Sequence, residues 1–410
     1  MGRILAILLI FNTCISYAQD SWCGHQSYTN PVQKIFYQKF LQKAKAIEAH
    51  HPLQARTILY IPVVIHVVAS DGFNPVTPAQ ALQQLDVLNN DFAAQGDNIG
   101  KLLEAFRPLI APADLHFCLA TIDPSGQPTT GITFTSTDID FIGTEIDIST
   151  GRRKIQYDFF GGEDAWDASK YINIWVGDCL NILGSATMPG AAHFPEEIGI
   201  VIDINHFGAF GDAGHYNAYD RGHTLTHEMG HFLGLKHIWG DGNSADCNDS
   251  DDIEDTPNQG GPYYGCPEGE HISCELSDMY QNFMDLTNDR CLAAFTHDQV
   301  ERMHSTLDLV YPGLVSSTSC NPGVADFDEW FDELVWSTDA ANHKIIVYHP
   351  LGAAGNKSIR VFNMDGKLFF EKEWNDDRAV LINLNNVAAG VYVVNITMGE
   401  ECHSKKIAIY

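Results

Sequence analysis

Apolar residues recur in short runs through the first three quarters of the chain, and these runs predict a sheet with helices packed on it. The patterns typical of strands are Ile58–Ala69, Leu115–Ile122, Tyr171–Val176 and Ile198–Ile204. The last two are nearly continuous apolar runs, as in strands covered on both faces. The sequence therefore predicts a mixed α/β (α+β) domain built on a twisted sheet.

Two helices are predicted beside this sheet. Thr77 followed by Pro78 is a favourable helix start, because threonine caps free N–H groups and proline fits the first turn. Apolar residues continue that helix at helical spacing, at Leu82, Leu85, Leu88 and Phe92. A second helix begins near Thr224 and buries a side made of Leu225, Met229, Phe232 and Leu233.

A separate β-rich module ends the chain. Its predicted strands are Lys344–Tyr348, Ser358–Asn363, Lys367–Glu373, Val380–Leu384, Val391–Thr397 and Ser404–Tyr410. Short strands with turns between them predict a small all-β sandwich. The module has no cluster of His, Asp and Glu with catalytic spacing, so we expect a role in attachment, targeting or binding.

The N-terminus predicts export. Arg3, the apolar run Ile4–Phe11 and the small residues Ser16 and Ala18 make residues 1–18 a signal peptide. Residues 19–56 are polar and helix-prone without a visible core, and Arg56 offers an activation cut, so we expect a propeptide; an ordinary N-terminal arm is the alternative. The remaining predicted parts are a catalytic domain 57–312 (upper subdomain 57–237, lower subdomain 238–312), a linker 313–340 and the β-rich module 341–410.

Charge excludes one class of partner. The 410 residues carry a formal net charge of -29, whereas nucleic-acid binding requires a basic face. Hydrophobic residues make up 45% and charged residues 19%, as in globular proteins. No stretch after the signal is long and apolar enough for a transmembrane segment. We expect an exported monomer.

The candidate chemistry lies in the second predicted helix. His227 and His231 are four residues apart, so they project from one helix face and can share a zinc ion. Gly234 can end the helix in a left-handed conformation and return His237 as third ligand. Glu228 lies beside the site as a base that activates water. Surface histidines on an amphipathic helix are the structural alternative, and an acidic zinc ligand at Glu254 is another.

An acidic segment follows the predicted zinc site. Residues 241–255 contain seven aspartates or glutamates with Gly and Asn between them. Such runs are usually solvated loops, but alternating oxygen side chains also suit calcium, which takes six to eight oxygen ligands. The ligands we would test first are Asp252, Asp255 and Thr256.

Nine cysteines remain after the signal, and the odd number leaves at least one unpaired. Four of them crowd the region after the acidic segment, at Cys247, Cys266, Cys274 and Cys291. In an exported protein these indicate disulfides rather than zinc, because no C-x-x-C pair is present. Cys118 and Cys179 could also pair, and Cys320 and Cys402 stay unassigned.

The motif H-E-x-x-H-x-x-G-x-x-H resembles that of the metzincin metalloproteases, and Asn282-Phe283-Met284-Asp285 fits their methionine turn, with Met284 beneath the zinc. Within that group, residues 57–310 resemble the pappalysin family. The stretches that carry the resemblance are Ile61–Val68, Phe117–Ala120, Tyr171–Val176, Thr224–Glu228 and Asp255–Pro257. It implies a zinc endopeptidase of metzincin fold, calcium in the acidic segment, and Cys247–Cys274 and Cys266–Cys291 disulfides.

The resemblance also implies a role for Cys23. Trp22-Cys23-Gly24 resembles the propeptide element whose thiolate takes the open zinc position and keeps the enzyme latent. Two positions depart from the family. Leu286 stands where some metzincins have a tyrosine that stabilises the oxyanion. Arg290 lies where relatives are more acidic, so it could repel the arginine that family members favour after the scissile bond.

The tail resembles the C-terminal sorting domain of type IX secretion cargo, through Ser358–Lys367, Ala389–Val394 and Lys405–Ile407. The function we expect is therefore a secreted, latent zinc endopeptidase acting on proteins or peptides. Substrate would lie antiparallel to an edge strand at Gly184–Met188. The alternative is a catalytically weak surface-binding protein on the same fold, which Leu286 favours.

Overall fold

A computed structural model describes most of the chain before residue 320 and the strands after it. The described residues are 23–24, 28, 30–48, 57–70, 76–127, 129–209, 218–240, 247–317, 319, 335–339, 344–348, 357–363, 367–374, 379–383, 390–398 and 401–409. The predicted signal peptide and Arg56 lie outside them.

A six-stranded mixed sheet forms the centre of the first part of the chain. Its strands are β1 (Leu59–Ala69), β2 (Leu115–Leu119), β3 (Ile132–Ser136), β4 (Ile172–Gly177), β5 (Gly184–Ala186) and β6 (Ile200–Asp203). The order is β2-β1-β4-β6-β5, with β3 pairing the second half of β1. Only β5 is antiparallel among these six, and it forms one edge. The predicted mixed sheet is confirmed.

Five α-helices are described in this part of the chain: α1 (Pro31–Glu48), α2 (Pro78–Phe92), α3 (His223–Phe232), α4 (His297–Val310) and α5 (Pro312–Val315). Thr77 caps α2 through a reciprocal pair of hydrogen bonds with Gln80, as its sequence predicts. Helix α3 packs against α2, β5 and β6. This packing places the candidate zinc helix directly beside the sheet edge.

Both faces of β1 are buried, which explains its nearly unbroken apolar sequence. Ile61, Val63 and Ile65 face the main core with α2 and α3, whereas Val64 and Val68 join smaller clusters on the opposite face. One polar residue, His66, interrupts that second face, and its ring is fully buried.

His66 is held by hydrogen bonds on both ring nitrogens. Its Nε2 lies 3.0 Å from the Asn173 Oδ1, and its Nδ1 lies 2.9 Å from the Thr133 hydroxyl. The Asn173 oxygen also accepts from the Trp166 N–H at 2.7 Å, and the Asn173 amide donates back to the Trp166 carbonyl. Since this oxygen can only accept, His66 donates from Nε2. Burial lowers the pKa of His66 to about 4, so the ring is neutral.

The segment after α3 has little regular structure. It contains a short hairpin of β7 (Ile272–Ser273) and β8 (Leu276–Ser277) before α4. Disulfides join Cys247 to Cys274 and Cys266 to Cys291, as the family resemblance implies. These bridges hold together a loop-rich region that has few hydrogen-bonded strands of its own.

The suggested Cys118–Cys179 pair is wrong. Cys179 is a buried free thiol. Cys118 belongs to a disulfide whose partner side chain lies outside the described residues. Cys118 is in β2, whereas Cys179 follows β4 on the far side of β1, so sheet order separates the two.

The propeptide region also differs from expectation, since it does contribute to a core. Helix α1 buries Tyr37, Phe40 and Ala44, which pack with Leu309 and Val310 at the end of α4. These three residues recur at spacings of three and four, but polar neighbours dilute the pattern. The helix is therefore part of the folded unit rather than a solvated leader.

The C-terminal strands form two antiparallel sheets. The first has the order β13-β10-β9 and the second β12-β11-β14-β15. Their bounds are β9 (Val335–Asp339), β10 (Lys344–Tyr348), β11 (Lys357–Asn363), β12 (Leu368–Trp374), β13 (Ala379–Asn383), β14 (Gly390–Met398) and β15 (Glu401–Ile409). The six predicted strands are all present. Strand β9 was not predicted, because it is short and lies in the expected linker.

No described helix combines the length and the apolar character needed to cross a bilayer.

Candidate active site and metal centre

Helix α3 carries two of the three candidate ligands. His227 and His231 are one helical turn apart and are 5% and 0% exposed. The helix ends at Phe232, and Gly234 shortly after it has a φ of +90°, the left-handed conformation predicted for it. A Cβ at Gly234 would lie 2.5 Å from the Thr306 hydroxyl, so glycine is also required sterically. The turn that follows brings His237 back to the other two rings.

The three Nε2 atoms converge on one point. The Nε2 of His231 lies 3.1 Å from that of His227 and 3.2 Å from that of His237. Tetrahedral zinc with Zn–N bonds near 2.05 Å separates its nitrogen ligands by about 3.3 Å, so this spacing fits the ion.

Hydrogen bonds on the other ring nitrogens leave the Nε2 atoms of His227 and His231 unprotonated. The Nδ1 of His227 lies 2.7 Å from the Phe283 carbonyl, and the Nδ1 of His231 lies 2.8 Å from the Leu235 carbonyl. Carbonyls only accept, so both Nδ1 atoms carry the proton. Two Nε2 lone pairs therefore face each other without a proton between them. A cation bound to both removes this repulsion, and these residues fit zinc.

Glu228 lies between this cluster and the edge strand. Its carboxyl is 1% exposed, accepts a hydrogen bond from the Ala186 N–H, and leaves Oε2 without a partner among the described residues. A Cβ at Gly184 would lie 2.8 Å from the Glu228 Cγ, so glycine makes room for the side chain. Burial raises the pKa of Glu228 to about 8, against the opposing effect of a hydrogen bond with Cys23.

Cys23 joins the histidine cluster from the N-terminal segment that precedes α1. Its Sγ lies 3.3 Å from the His231 Nε2 and within 4.8 Å of the ligand atoms of His227 and His237. The backbone is fixed beside it, since the Gly24 N–H donates to the Gly184 carbonyl at 2.9 Å. The chain at Cys23 runs parallel to β5. The structure thus places all four predicted ligand residues together.

Met284 lies directly under α3. It is fully buried, and its Sδ would be 2.5 Å from a Cβ placed on Gly230. Asn282 fixes the turn by accepting a hydrogen bond from the Met284 N–H at 2.9 Å. The Asp285 carboxylate accepts from the N–H groups of Tyr263 and Leu286. This is the position that the methionine-turn prediction gives to Met284.

A small cavity of about 30 Å³ adjoins the histidine cluster, and Cys23, His227 and Glu228 form part of its wall. Leu286 lines it, and the Tyr219 hydroxyl donates to the Leu286 carbonyl at 2.9 Å. Asp289 also lines it. The Asp289 Oδ2 accepts from the Arg221 N–H at 2.7 Å, whereas its Oδ1 is buried without a partner among the described residues. Burial raises the pKa of Asp289 to about 7.

Arg290 does not line this cavity. Its side chain is exposed, and its carbonyl accepts a hydrogen bond from the Lys101 ammonium at 3.2 Å. Asp289 is the residue that sequence reasoning missed. The signal was present in the triplet Asn288-Asp289-Arg290, but the sequence does not say which of the three side chains turns inward.

A partly buried cation, Arg153, lies behind the edge strand. Its guanidinium donates to the Ser185 hydroxyl at 2.5 Å, and its backbone N–H donates to the Glu197 carboxylate at 3.1 Å. It is also close enough to Glu228 to lower the pKa of that carboxyl. Sequence reasoning gave Arg153 no role, because it stands in an irregular segment far from the motif.

The three predicted calcium ligands are not brought into one group. The Asp252 carboxylate lies 3.1 Å from the Lys236 ammonium and 3.5 Å from that of Lys45, so cations of the protein already face it. Asp255 accepts from the Thr296 hydroxyl at 2.6 Å.

Thr256 donates to the Asp251 carboxylate at 2.7 Å instead of facing the other two. Residues 241–246 of the acidic segment lie outside the described part of the chain. Calcium binding stays a prediction. Glu254, the alternative acidic zinc ligand, is exposed and is not among the residues that surround the histidines.

Comparison with known proteins relates this site to a family. Residues 156–308 match the family described as pregnancy-associated plasma protein-A, and residues 341–410 match the secretion system C-terminal sorting domain. The chain is therefore an exported protein that carries the sorting domain of type IX secretion cargo.

Two fungal relatives are extracellular metalloproteases. That of Arthroderma benhamiae is 44% identical over 87 residues, or 21% of this chain and 29% of the relative. That of Aspergillus oryzae is 36% identical over 141 residues, or 34% and 37%. The chain thus spans about a third of the length of these relatives.

Solved structures match over longer stretches. A mutant of Tannerella forsythia promirolysin is 35% identical with a TM-score of 0.63, covering 72% of this chain and 96% of that one. Mature mirolysin from the same organism, in complex with a cleaved peptide, is 38% identical with a TM-score of 0.58, covering 65% and 97%. The chain belongs to the pappalysin family of metzincin zinc metalloproteases.

Proposed function

We propose that this chain is a zinc-dependent endopeptidase made as a latent precursor. The observation that carries the proposal is the convergence of three imidazole Nε2 atoms, two of them unprotonated, beside a buried carboxyl and the edge strand of the sheet. Its predicted parts are a signal peptide (1–18), a propeptide (19–56), the catalytic domain (57–312), a linker (313–340) and the sorting domain (341–410).

His227, His231 and His237 would hold the zinc ion, which when bound supplies a Lewis acid for the scissile carbonyl and makes water a better nucleophile. Glu228 would take the proton of the attacking water on its free Oε2 and pass it to the leaving amine. The Ala186 N–H holds the Glu228 carboxyl so that Oε2 stays available.

The edge strand β5 would hold the substrate. None of the described strands of the sheet lies beyond its outer side, so once the segment at Cys23 leaves, an extended peptide can add there as an antiparallel strand. In the latent form the segment at Cys23 occupies this edge in the opposite direction, and its thiolate would fill the zinc position that the reaction needs.

The cavity beside the zinc site would select a basic residue after the scissile bond. A free, buried carboxylate oxygen on Asp289 is available to pair with a cationic side chain. The exposed Arg290 side chain stands apart from this cavity and would not oppose that choice. Protein or peptide substrates with Arg or Lys at this position are therefore proposed.

The protein would act as a monomer outside the cell, after passage through the type IX machinery by means of its C-terminal domain. Calcium at Asp252, Asp255 and Thr256 is part of the proposal as a structural ion, not as a participant in the reaction. It would bind only after these side chains rearrange from the partners described above.

Cleavage of a peptide library by the processed chain tests this function. Glu228→Ala protein should retain zinc and lose cleavage by at least about 100-fold, the usual contribution of a general base. Cleavage that survives this change would refute the mechanism. Leu286 favours the alternative of a binding protein, and that alternative would prevail if the processed wild type holds zinc, binds peptides and cleaves none.

A further inference from the structure

Helix α1 contacts more of the protein than is needed to deliver Cys23 to the histidines. Its inner side rests on α4, where Tyr37, Phe40 and Ala44 pack with Leu309 and Val310. The Tyr28 ring stacks on Tyr37 at a centroid distance of 4.3 Å. This apolar contact lies outside the zinc site.

The same helix contacts the segments on both sides of the zinc site. The Gln33 amide donates to the Ala191 carbonyl at 2.7 Å, and a Cβ on Gly190 would lie 2.1 Å from the Phe36 ring. These residues continue the chain from the edge strand β5. On the other side, Phe40 packs against Gly234, in the turn that carries His237. The first contact depends on glycine, because a Cβ at Gly190 would collide with the Phe36 ring.

A buried ion pair fixes the end of α1. The Arg302 guanidinium donates to both carboxylate oxygens of Glu48, at 2.7 and 3.3 Å, and the Arg302 side chain is only 1% exposed. A two-pronged pair of this kind is specific in geometry, and removal of one partner leaves the other charge buried and unpaired. Lys45 and Asp252 form a second, more exposed pair at 3.5 Å.

We infer that the surface under α1, which we call the α1 groove (Gly190, Ala191, Gly234, Arg302, Leu309 and Val310), is a docking site that holds the propeptide independently of Cys23. The inference rests on the proposed function only in treating residues 19–56 as a propeptide. A cut between Glu48 and Thr57 leaves every contact described above in place. Activation then requires two events, the cut and the later departure of α1.

The contact of Cys23 at the zinc site and the contact of α1 with its groove strengthen each other, because only a short connection separates Cys23 from α1. While α1 is docked, the thiol is confined near the zinc site at a high effective concentration, so a weak contact at zinc suffices for latency. The α1 groove is therefore the site that decides how long the cut enzyme stays latent. The partner it fits is an amphipathic helix with aromatic residues three apart and a carboxylate at its end.

Retention of the cut propeptide tests this inference. A unique protease site replaces residues 50–55 in a Glu228→Ala chain, so that released fragments are not degraded. After cutting, gel filtration and intact mass measurement show whether the fragment stays with the catalytic domain. We expect retention with and without Cys23→Ser. Phe40→Ala combined with Glu48→Gln should weaken retention by at least 100-fold, whereas Val32→Ala, at a position 76% exposed on the same helix, should not.

Release caused by Cys23→Ser alone would overturn the inference, and so would retention unaffected by the Phe40 and Glu48 changes. Zinc content of the cut chain checks that the catalytic domain stays folded, because these substitutions lie in the part that leaves. With Glu228 restored, a fully released enzyme that cleaves no peptide would refute the proposed function. The retention result would still stand in that case.

Discussion

The Met284 sulfur lies directly beneath Gly230, where a Cβ would approach it to 2.5 Å. Alanine favours a helix over glycine by about 1 kcal/mol, so helix propensity alone would make Gly230→Ala stabilising. We expect the opposite, a loss of about 1–3 kcal/mol from overpacking, together with weaker zinc binding as α3 is lifted from the turn.

Thermal unfolding and zinc content measure this effect. Gly261→Ala is the matched control, since a Cβ at Gly261 meets nothing within 4 Å. A Gly230→Ala protein as stable and as zinc-loaded as the Gly261→Ala protein would show that Met284 moves aside freely.

Asp289→Asn should abolish the preference for a basic residue after the scissile bond. Loss of a buried charge pair costs about 2 kcal/mol or more, or roughly 30-fold in kcat/KM for peptides with Arg at that position. Peptides with Leu there should change little, and their kinetics serve as the control. Equal losses on both peptides would mean that Asp289 supports the fold rather than selects the substrate.

The same carboxyl predicts a pH dependence. Because burial raises the pKa of Asp289 to about 7, the carboxyl is neutral below that pH and charged above it. The kcat/KM for the Arg peptide, relative to the Leu peptide, should rise as pH increases through about 7. The Asp289→Asn protein should show a flat ratio over this range.

Arg153 and Ser185 should act together on substrate binding. Hydrogen bonds to charged groups contribute about 1.5–3 kcal/mol, so Arg153→Met should raise KM for extended peptides by roughly tenfold or more as β5 loosens. Ser185→Ala should produce part of the same effect, and the double variant should be no worse than Arg153→Met. Strictly additive losses would indicate that the two residues act separately.

His66 predicts acid sensitivity of the fold. Its pKa is about 4 in the folded protein and 6.5 in the unfolded chain, so the unfolded state binds more protons between these values. Stability is complete above pH 6.5 and falls by on the order of 3 kcal/mol as pH decreases towards 4. The His66→Gln protein, although less stable at neutral pH, should lose less between pH 6.5 and 4 in denaturant titrations.

Calcium can be tested without disturbing zinc. Removal of calcium with a selective chelator, at constant zinc, should lower the Tm of the processed chain, and Asp255→Asn should abolish the difference. An unchanged Tm in the wild type would contradict the calcium prediction. It would agree with the partners that Asp252 and Asp255 already have, a lysine and a threonine respectively.

The sequence predicted that the three histidines lie together, because the information for this is local. The spacing of His227 and His231 and the need for Gly234 follow from helix geometry. The expectation that Cys23 lies beside them came from the family resemblance. The direction in which a side chain points in the folded protein was not predictable in the same way. Asp289 points into the cavity and Arg290 away from it, although they are neighbours in the chain.

The edge strand expected at Gly184–Met188 is present as β5, although its three residues have no periodic signal of their own, and its pairing with β6 comes only from the structure. Diluted patterns were missed. The buried residues of α1 stand among lysines and glutamines, so the helix looked like a solvated leader. The separation of Cys118 from Cys179 depends on sheet order, which the sequence leaves open.

The hydrogen bond from His227 to the Phe283 carbonyl has a consequence for assembly. It joins a ligand on the helix to a backbone atom of the disulfide-bonded region that follows it. A chain whose Cys247–Cys274 or Cys266–Cys291 bridge is misformed would misplace that carbonyl, leave the His227 Nδ1–H without its acceptor and free the ring to turn. Zinc occupancy is thus a direct gauge of whether the second half of the domain has matured correctly.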